Sequence, residues 1–177
     1  MTTQRVAPYE GVIAEMVAFQ GHHGDTIYGY FARPLGPGPY PGVVNIVEVF
    51  GLLPHIKELS LKIAARGFVV LAPDLHFREG PGSPEDVAAK VRAEGGVPDD
   101  RFVGDMEGAV RYLRSLPSSN GKVGSIGYCS GGRHSWIAAC NIPSLNAAVV
   151  CYGGRIVATP EQLSPRQPVA AIDMTPR

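Results

Sequence analysis

The 177-residue chain is short of several things, and each shortage excludes a class of protein. It has no excess of charge: 16 Lys and Arg balance 16 Asp and Glu, without a run of like sign, so nothing marks a nucleic-acid footprint or a patch for an anionic membrane. It has no apolar stretch near the ~20 residues that a membrane span needs. The opening MTTQRVAPYEGVIAEM carries acidic residues where a signal peptide has its apolar centre, and a cytoplasmic location is expected. Cysteine is scarce as well. Three of them, an odd number in a chain too large to need staples, argue against a disulfide framework, fit a reducing compartment and leave at least one thiol free. Small or neutral partners are expected, with neither nucleic acid nor membrane among them.

What the chain does have is 45% apolar residues, enough at this length for a substantial core, distributed in a definite order. TIYGYFARP (Thr26 to Pro34) alternates as an edge or antiparallel strand does, and the PLGPGPYPG that follows from Pro34 is a loop. The runs Val43 to Phe50, Phe68 to Leu75, Lys122 to Cys129 and Ala147 to Gly154 are apolar on both faces, as strands of a covered parallel sheet are. Between them lie helical patterns. His55 to Gly67 sets Ile56, Leu59, Ile63 and Ala64 on one face and ends at a glycine suited to a C-cap. Asp100 to Leu116 does the same with Val103, Met106, Val110 and Leu113, and GGRHSWIAACN starts a helix directly after Cys129. The stretch from Glu79 to Asp99 is loop-rich, with one short helix at Glu85 to Arg92. This alternation predicts right-handed βαβ units and one α/β domain over residues 1–177, with helices on both faces of a mostly parallel sheet.

The chemistry concentrates in GYCSGG. It fits the G-x-nucleophile-x-G pattern of a strand–turn–helix elbow, with cysteine as the nucleophile. Small residues are needed two before and two after because the turn is strained and the helix crosses close to the strand; Gly127 and Gly131 supply them. Cys129 is expected at positive φ with its side chain outward, beside a helix N-terminus that favours the thiolate, and the Ser130 N–H is one candidate oxyanion donor. The competing reading is a merely buried cysteine. Cys140, inside a helix, and Cys151, inside a strand, read as core residues. Taking Ser130 as the nucleophile instead puts Tyr128, not glycine, two positions before it.

Glu48 ends an apolar strand at the carboxyl edge of the sheet, where ligands bind in open α/β folds, so it can face Cys129; an ordinary salt bridge or strand-end charge explains it equally well. APDLHFR sets Asp74, His76 and Arg78 at the next strand end. Arg78 can pair with Glu48 or receive a substrate carboxylate through its planar fork, and Asp74 reads as a residue bonding loop backbone.

NIVEVFG followed by PHI, then VVLAPDLHFR, then SSNGKVGSIGYCSGGR, in this order between about Gly42 and Gly154, resemble the dienelactone hydrolase family of the α/β-hydrolase superfamily. The resemblance implies a hydrolase cleaving a lactone or small carboxylic ester, with Cys129 as nucleophile and Glu48 as the glutamate that contacts the resting thiol and helps deprotonate it. It implies further that Arg78 contacts this glutamate or a substrate carboxylate, that the N–H groups of Val49 and Ser130 form the oxyanion hole, and that neither cofactor nor metal is needed. His76 stands where the family often has tyrosine.

The last shortage is histidine after the nucleophile. The superfamily order is nucleophile, acid, histidine, yet the last histidine here is His134, five residues after Cys129 and about 7 Å along a helix running away from the elbow. His134 is therefore expected on the helix surface or at an interface. His22 and His23 fall in the turn before the second strand, His55 at a helix start, and Asp173 in a loop. The sequence reads as the first two-thirds of the domain, without its last strands, acid and histidine. Hydrolysis completed by a part beyond Arg177 is one expectation; a remnant that binds a ligand or partner without turnover is the alternative. A nucleotide-binding module is disfavoured because GKVGSIGYCSGG is not G-x-G-x-x-G and follows a late strand.

Overall fold

Apolar runs rich in β-branched residues become the centre of a six-stranded sheet in the computed structural model, which describes residues 11–168 and 170–174. The strands are β1 (Val12–Gln20), β2 (Thr26–Pro34), β3 (Tyr40–Ile46), β4 (Val69–Pro73), β5 (Ser119–Tyr128) and β6 (Ala147–Cys151), in the order β1-β2-β4-β3-β5-β6. β1 and β2 form an antiparallel hairpin that joins β4 antiparallel. From β4 through β3 and β5 to β6 every pairing is parallel. The alternation in TIYGYFARP thus belongs to the antiparallel flank, and the covered runs to the parallel centre.

Four helices, α1 (Pro54–Ala64), α2 (Pro84–Ala93), α3 (Asp99–Ser115) and α4 (Ser130–Asn141), connect the strands. Successive strand side chains point to opposite faces, and β4 shows the consequence. Val70 packs with Ala64 of α1, whereas Val69 and Leu71 join a larger core with Phe102, Met106 and Leu113 of α3 and Ile137 of α4. Helices therefore cover both faces. Buried polar pairs fix two of the contacts: Asn45 Nδ2 of β3 donates to Ser60 Oγ of α1 at 3.0 Å, and the Ser125 and Ser135 hydroxyls join β5 to α4 at 2.8 Å.

Two differences from the sequence reading bear on the site. β3 stops at Ile46, so Glu48 stands two residues past the strand, in a turn closed by Gly51 N–H donating to Glu48 O at 3.0 Å. Among the described residues, the segment after β6 has neither strand nor α-helix; it crosses the loop between α2 and α3 and makes 3-10 turns at Pro160–Gln162 and Ala171–Asp173. Trp136 Nε1 of α4 anchors this segment by donating to Ala171 O at 2.6 Å. β6 is an edge of the described sheet. Val149 on it is 50% exposed and, with Val43, Ile126, Ile63 and Phe68, lines an apolar groove of about 360 Å³.

Candidate active site

The elbow forms as its glycines require. Cys129 has φ 54° and ψ −120°, a left-handed backbone that costs of order 1–3 kcal/mol and persists only when surroundings impose it. Here β6 and α4 impose it. Cys129 N–H donates to Cys151 O at 3.1 Å, and Cys129 O accepts from the N–H groups of Gly132 at 3.0 Å and Gly154 at 3.2 Å. No side chain fits at the crossing: a Cβ on Gly127 would lie 2.0 Å from Gly131 O, and one on Gly131 2.7 Å from Ile46 O and Val47 O. The helix start is thereby pressed against the ends of β3 and β5, and the thiol of Cys129 is exposed at the carboxyl edge. Cys140 is buried, and burial pushes its thiol up; Cys151, expected in the core, is only half-buried because β6 is an edge.

A cavity of about 240 Å³ opens beside Cys129. Val49 and Ser130 line it together with the thiol. Ser130 opens α4, so its N–H has no acceptor inside the helix. Glu48 is half-buried just before Val49, and the Tyr152 phenol lies within electrostatic reach of both the Glu48 carboxylate and Cys129. Among the described residues no three His, Cys, Asp or Glu side chains gather closely enough to hold a metal ion.

His134 is where the sequence reading needs correction. It is 5% exposed and lines the cavity rather than the helix surface, with its ring stacked on Phe102 at 4.4 Å between centroids. The reason is helical phase: His134, Ile137 and Ala138 share the face of α4 turned to the core. Burial, then Arg133 and His76, push its pKa down to about 3, so the ring is neutral. Both its nitrogens are without a hydrogen-bond partner, so it does not bond the sulfur. The periodicity of RHSWIAA was the signal available for this placement. His76 is also buried and lines the same cavity; burial lowers its pKa against the opposing pull of Asp74 and Glu79.

Arg78, expected at Glu48 or at a substrate carboxylate, is engaged elsewhere. Its Nη1 and Nη2 form a two-pronged pair with Asp105 of α3 at 2.7 and 3.0 Å, and its Nε donates to Asp25 at 3.0 Å. Asp105 is fully buried and also accepts from His22 N–H at 2.8 Å, so this cation is what compensates a buried carboxylate. The arginines that line the cavity are instead Arg92, Arg133 and Arg155, and Arg133 is paired with Asp99 at 2.7 and 3.0 Å. Asp74 Oδ1 accepts from His76 N–H at 3.1 Å, the backbone role expected of it. Asp173 lies exposed in the last 3-10 turn, His55 is exposed at the start of α1, and His22 and His23 sit in the turn between β1 and β2.

The chain can be set beside known proteins. The model of the dienelactone hydrolase family matches residues 27–174. The chain belongs to the dienelactone hydrolase family. A carboxymethylenebutenolidase of Pseudomonas putida is 32% identical over 148 residues, covering 80% of this chain and 62% of that protein. A relative from Escherichia coli (strain K12), provisionally given the same name, is 33% identical over 171 residues, 92% of this chain and 60% of its own. A crystal structure from Klebsiella pneumoniae, provisionally called a dienelactone hydrolase, superposes with a TM-score of 0.81 at 28% identity, covering 93% of this chain and 68% of that one. The fold of this dienelactone hydrolase family member is thus the α/β-hydrolase fold, and the chain spans about 60% of the length of these two curated relatives.

Proposed function

We propose that this chain carries the nucleophilic part of a site that cleaves a lactone or small carboxylic ester, with Cys129 as the nucleophile. The observation that carries the reading is the backbone of Cys129, held at φ 54° between β5 and α4 with its thiol exposed beside a cavity. Strain of this kind aims a side chain where packing alone would not. The names of the relatives add the substrate class.

The step follows from the parts. The Cys129 thiolate adds to the carbonyl carbon, and the oxygen takes up the charge against the N–H groups of Val49 and Ser130. Collapse breaks the C–O bond, releases the alcohol and leaves a thioester on sulfur. Glu48 takes the thiol proton as substrate arrives and gives it to the departing alkoxide, which leaves as the alcohol. Hydrolysis of the thioester needs a base for water, and general-base help is typically worth about 10²–10⁴-fold. His134, whose pKa burial pushes down to about 3, is too weak a base to give that help in this arrangement.

Rapid mixing with p-nitrophenyl acetate tests the reading. The expected result is a burst of about one equivalent of nitrophenolate per chain, followed by slow release, with the burst abolished in Cys129→Ala. A burst that survives Cys129→Ala overturns the assignment of the nucleophile. A ligand that binds without any burst establishes the non-catalytic alternative. Glu48→Gln should alter the pH dependence of iodoacetamide labelling of Cys129; an unchanged profile removes Glu48 from the site.

A further inference from the structure

Part of the wall of the Cys129 cavity comes from the segment after β6, through Gly154, Arg155 and Gln167. Gln167 lies in it, 7% exposed, in a tight turn where Gln167 N–H donates to Ser164 O at 2.9 Å. Its side chain reaches both ways: Nε2 donates to Val97 O, in the loop between α2 and α3, at 3.2 Å, and Oε1 accepts from Arg155 Nη1 at 3.4 Å. Val97 and Arg155 line the cavity too. The amide therefore spans from one wall to another.

The turn that holds Gln167 is fastened to the same loop by polar contacts. Arg166 Nη2 pairs with Glu94 at 2.7 Å and its Nη1 donates to Gly96 O at 3.2 Å; Ser164 Oγ donates to Gly95 O at 3.0 Å, and Asp99 N–H to Arg166 O at 3.0 Å. The fit against the loop is close, since a Cβ on Gly96 would lie 2.4 Å from Gln167 Nε2. A wall fastened by polar contacts can be thinned without opening a hole in the apolar core. The cavity is small beside the ~300–1,000 Å³ usual for ligand pockets, so what bounds it decides what enters.

We propose that Gln167 is a specificity-determining residue, a crossbar that limits the length of the acyl group held beside Cys129. The inference rests on the ester-cleaving reading above. On this reading the acyl group retained on sulfur lies in the cavity, and the alcohol leaves through the solvent-exposed face of Cys129.

The test is the second-order rate of the nitrophenolate burst with p-nitrophenyl acetate, butyrate and octanoate. In the unaltered chain the rate should fall at least tenfold from acetate to octanoate. Gln167→Ala should raise the octanoate rate about tenfold and leave the acetate rate within twofold. Arg166→Ala, which loosens the turn without removing an atom from the cavity wall, should raise the octanoate rate about threefold, and it carries the test alone if Gln167→Ala fails to fold. An octanoate-to-acetate ratio unchanged in every variant that folds overturns the crossbar while leaving the ester-cleaving reading intact. Absence of a burst with any ester, while Cys129 still reacts with iodoacetamide, overturns that reading and the crossbar with it.

Discussion

Two concavities of this molecule differ instructively. The groove between β6 and α1 is the larger, about 360 Å³ against about 240 Å³ beside Cys129, yet its lining is mostly apolar, with Lys122, Ser125 and Asn146 the polar exceptions, and it contains no cysteine, histidine or carboxylate. The Cys129 cavity is walled by a cysteine on a strained turn, two buried imidazoles and an ion-paired arginine. A hollow becomes a site through what the chain was forced to place there against its local preference. The groove is what an edge strand leaves when nothing covers that face.

The comparison can be broken most severely at the elbow. Gly127→Ala puts a methyl group 2.0 Å from Gly131 O, and because the obstacle is backbone, neither the strand nor α4 can yield cheaply. A loss of ~3 kcal/mol or more in urea unfolding is expected, with the Cys129 burst abolished. Unimpaired folding and acylation would show that the crossing is looser than the structure has it.

Arg78→Gln comes next. It strips the fully buried Asp105 of its cation, a change typically costing about 3–5 kcal/mol, while the acylation rate of the folded fraction should stay within twofold. Loss of ester affinity without loss of stability would return Arg78 to the substrate.

His134 gives a smaller, pH-dependent effect. Its folded pKa lies below its unfolded value, so folding keeps off a proton that the unfolded chain accepts. The contribution is fully present above pH ~6.5 and is lost as pH falls towards 3, at up to about 1.4 kcal/mol per unit, or about 2 kcal/mol by pH 5. His76, lowered by burial too, adds in the same direction. Urea midpoints at pH 7 and pH 5 should therefore differ clearly in the unaltered chain and less in His134→Phe; equal pH dependence in both would mean that the ring is not buried in solution.

The smallest effect belongs to the groove. Val149→Lys changes a half-exposed edge residue, so stability should move by no more than about 0.5 kcal/mol and the burst not at all. Any self-association in sedimentation velocity should weaken, because a charged edge resists strand pairing.

Much of this was legible in the sequence. The elbow depends on residues within two positions of Cys129, and the run of strands and helices depends on local period, so both could be read directly. The short α2 helix was legible for the same reason, its N-terminus capped by Ser83 Oγ accepting from Asp86 N–H at 3.1 Å. The errors lay with residues whose neighbours come from far along the chain. The distance along α4 set His134 apart from the elbow, but only helical phase against Phe102 of α3 told that it faces inward and lines the same cavity as Cys129.

The sequence by itself determined the alternation of strands and helices, the balanced charge and the strained turn at Cys129, since each is governed by stereochemistry and composition acting over a few residues. Tertiary structure alone decided which partners the charged groups took. Arg78 lies 27 residues from Asp105 and 53 from Asp25 in the chain, and the sheet brings all three together. Gln167 reaches Val97 across 70 residues in the same way. Partners of this kind are chosen by which elements the sheet and its helices bring within hydrogen-bond reach, and no spacing along the chain encodes that distance.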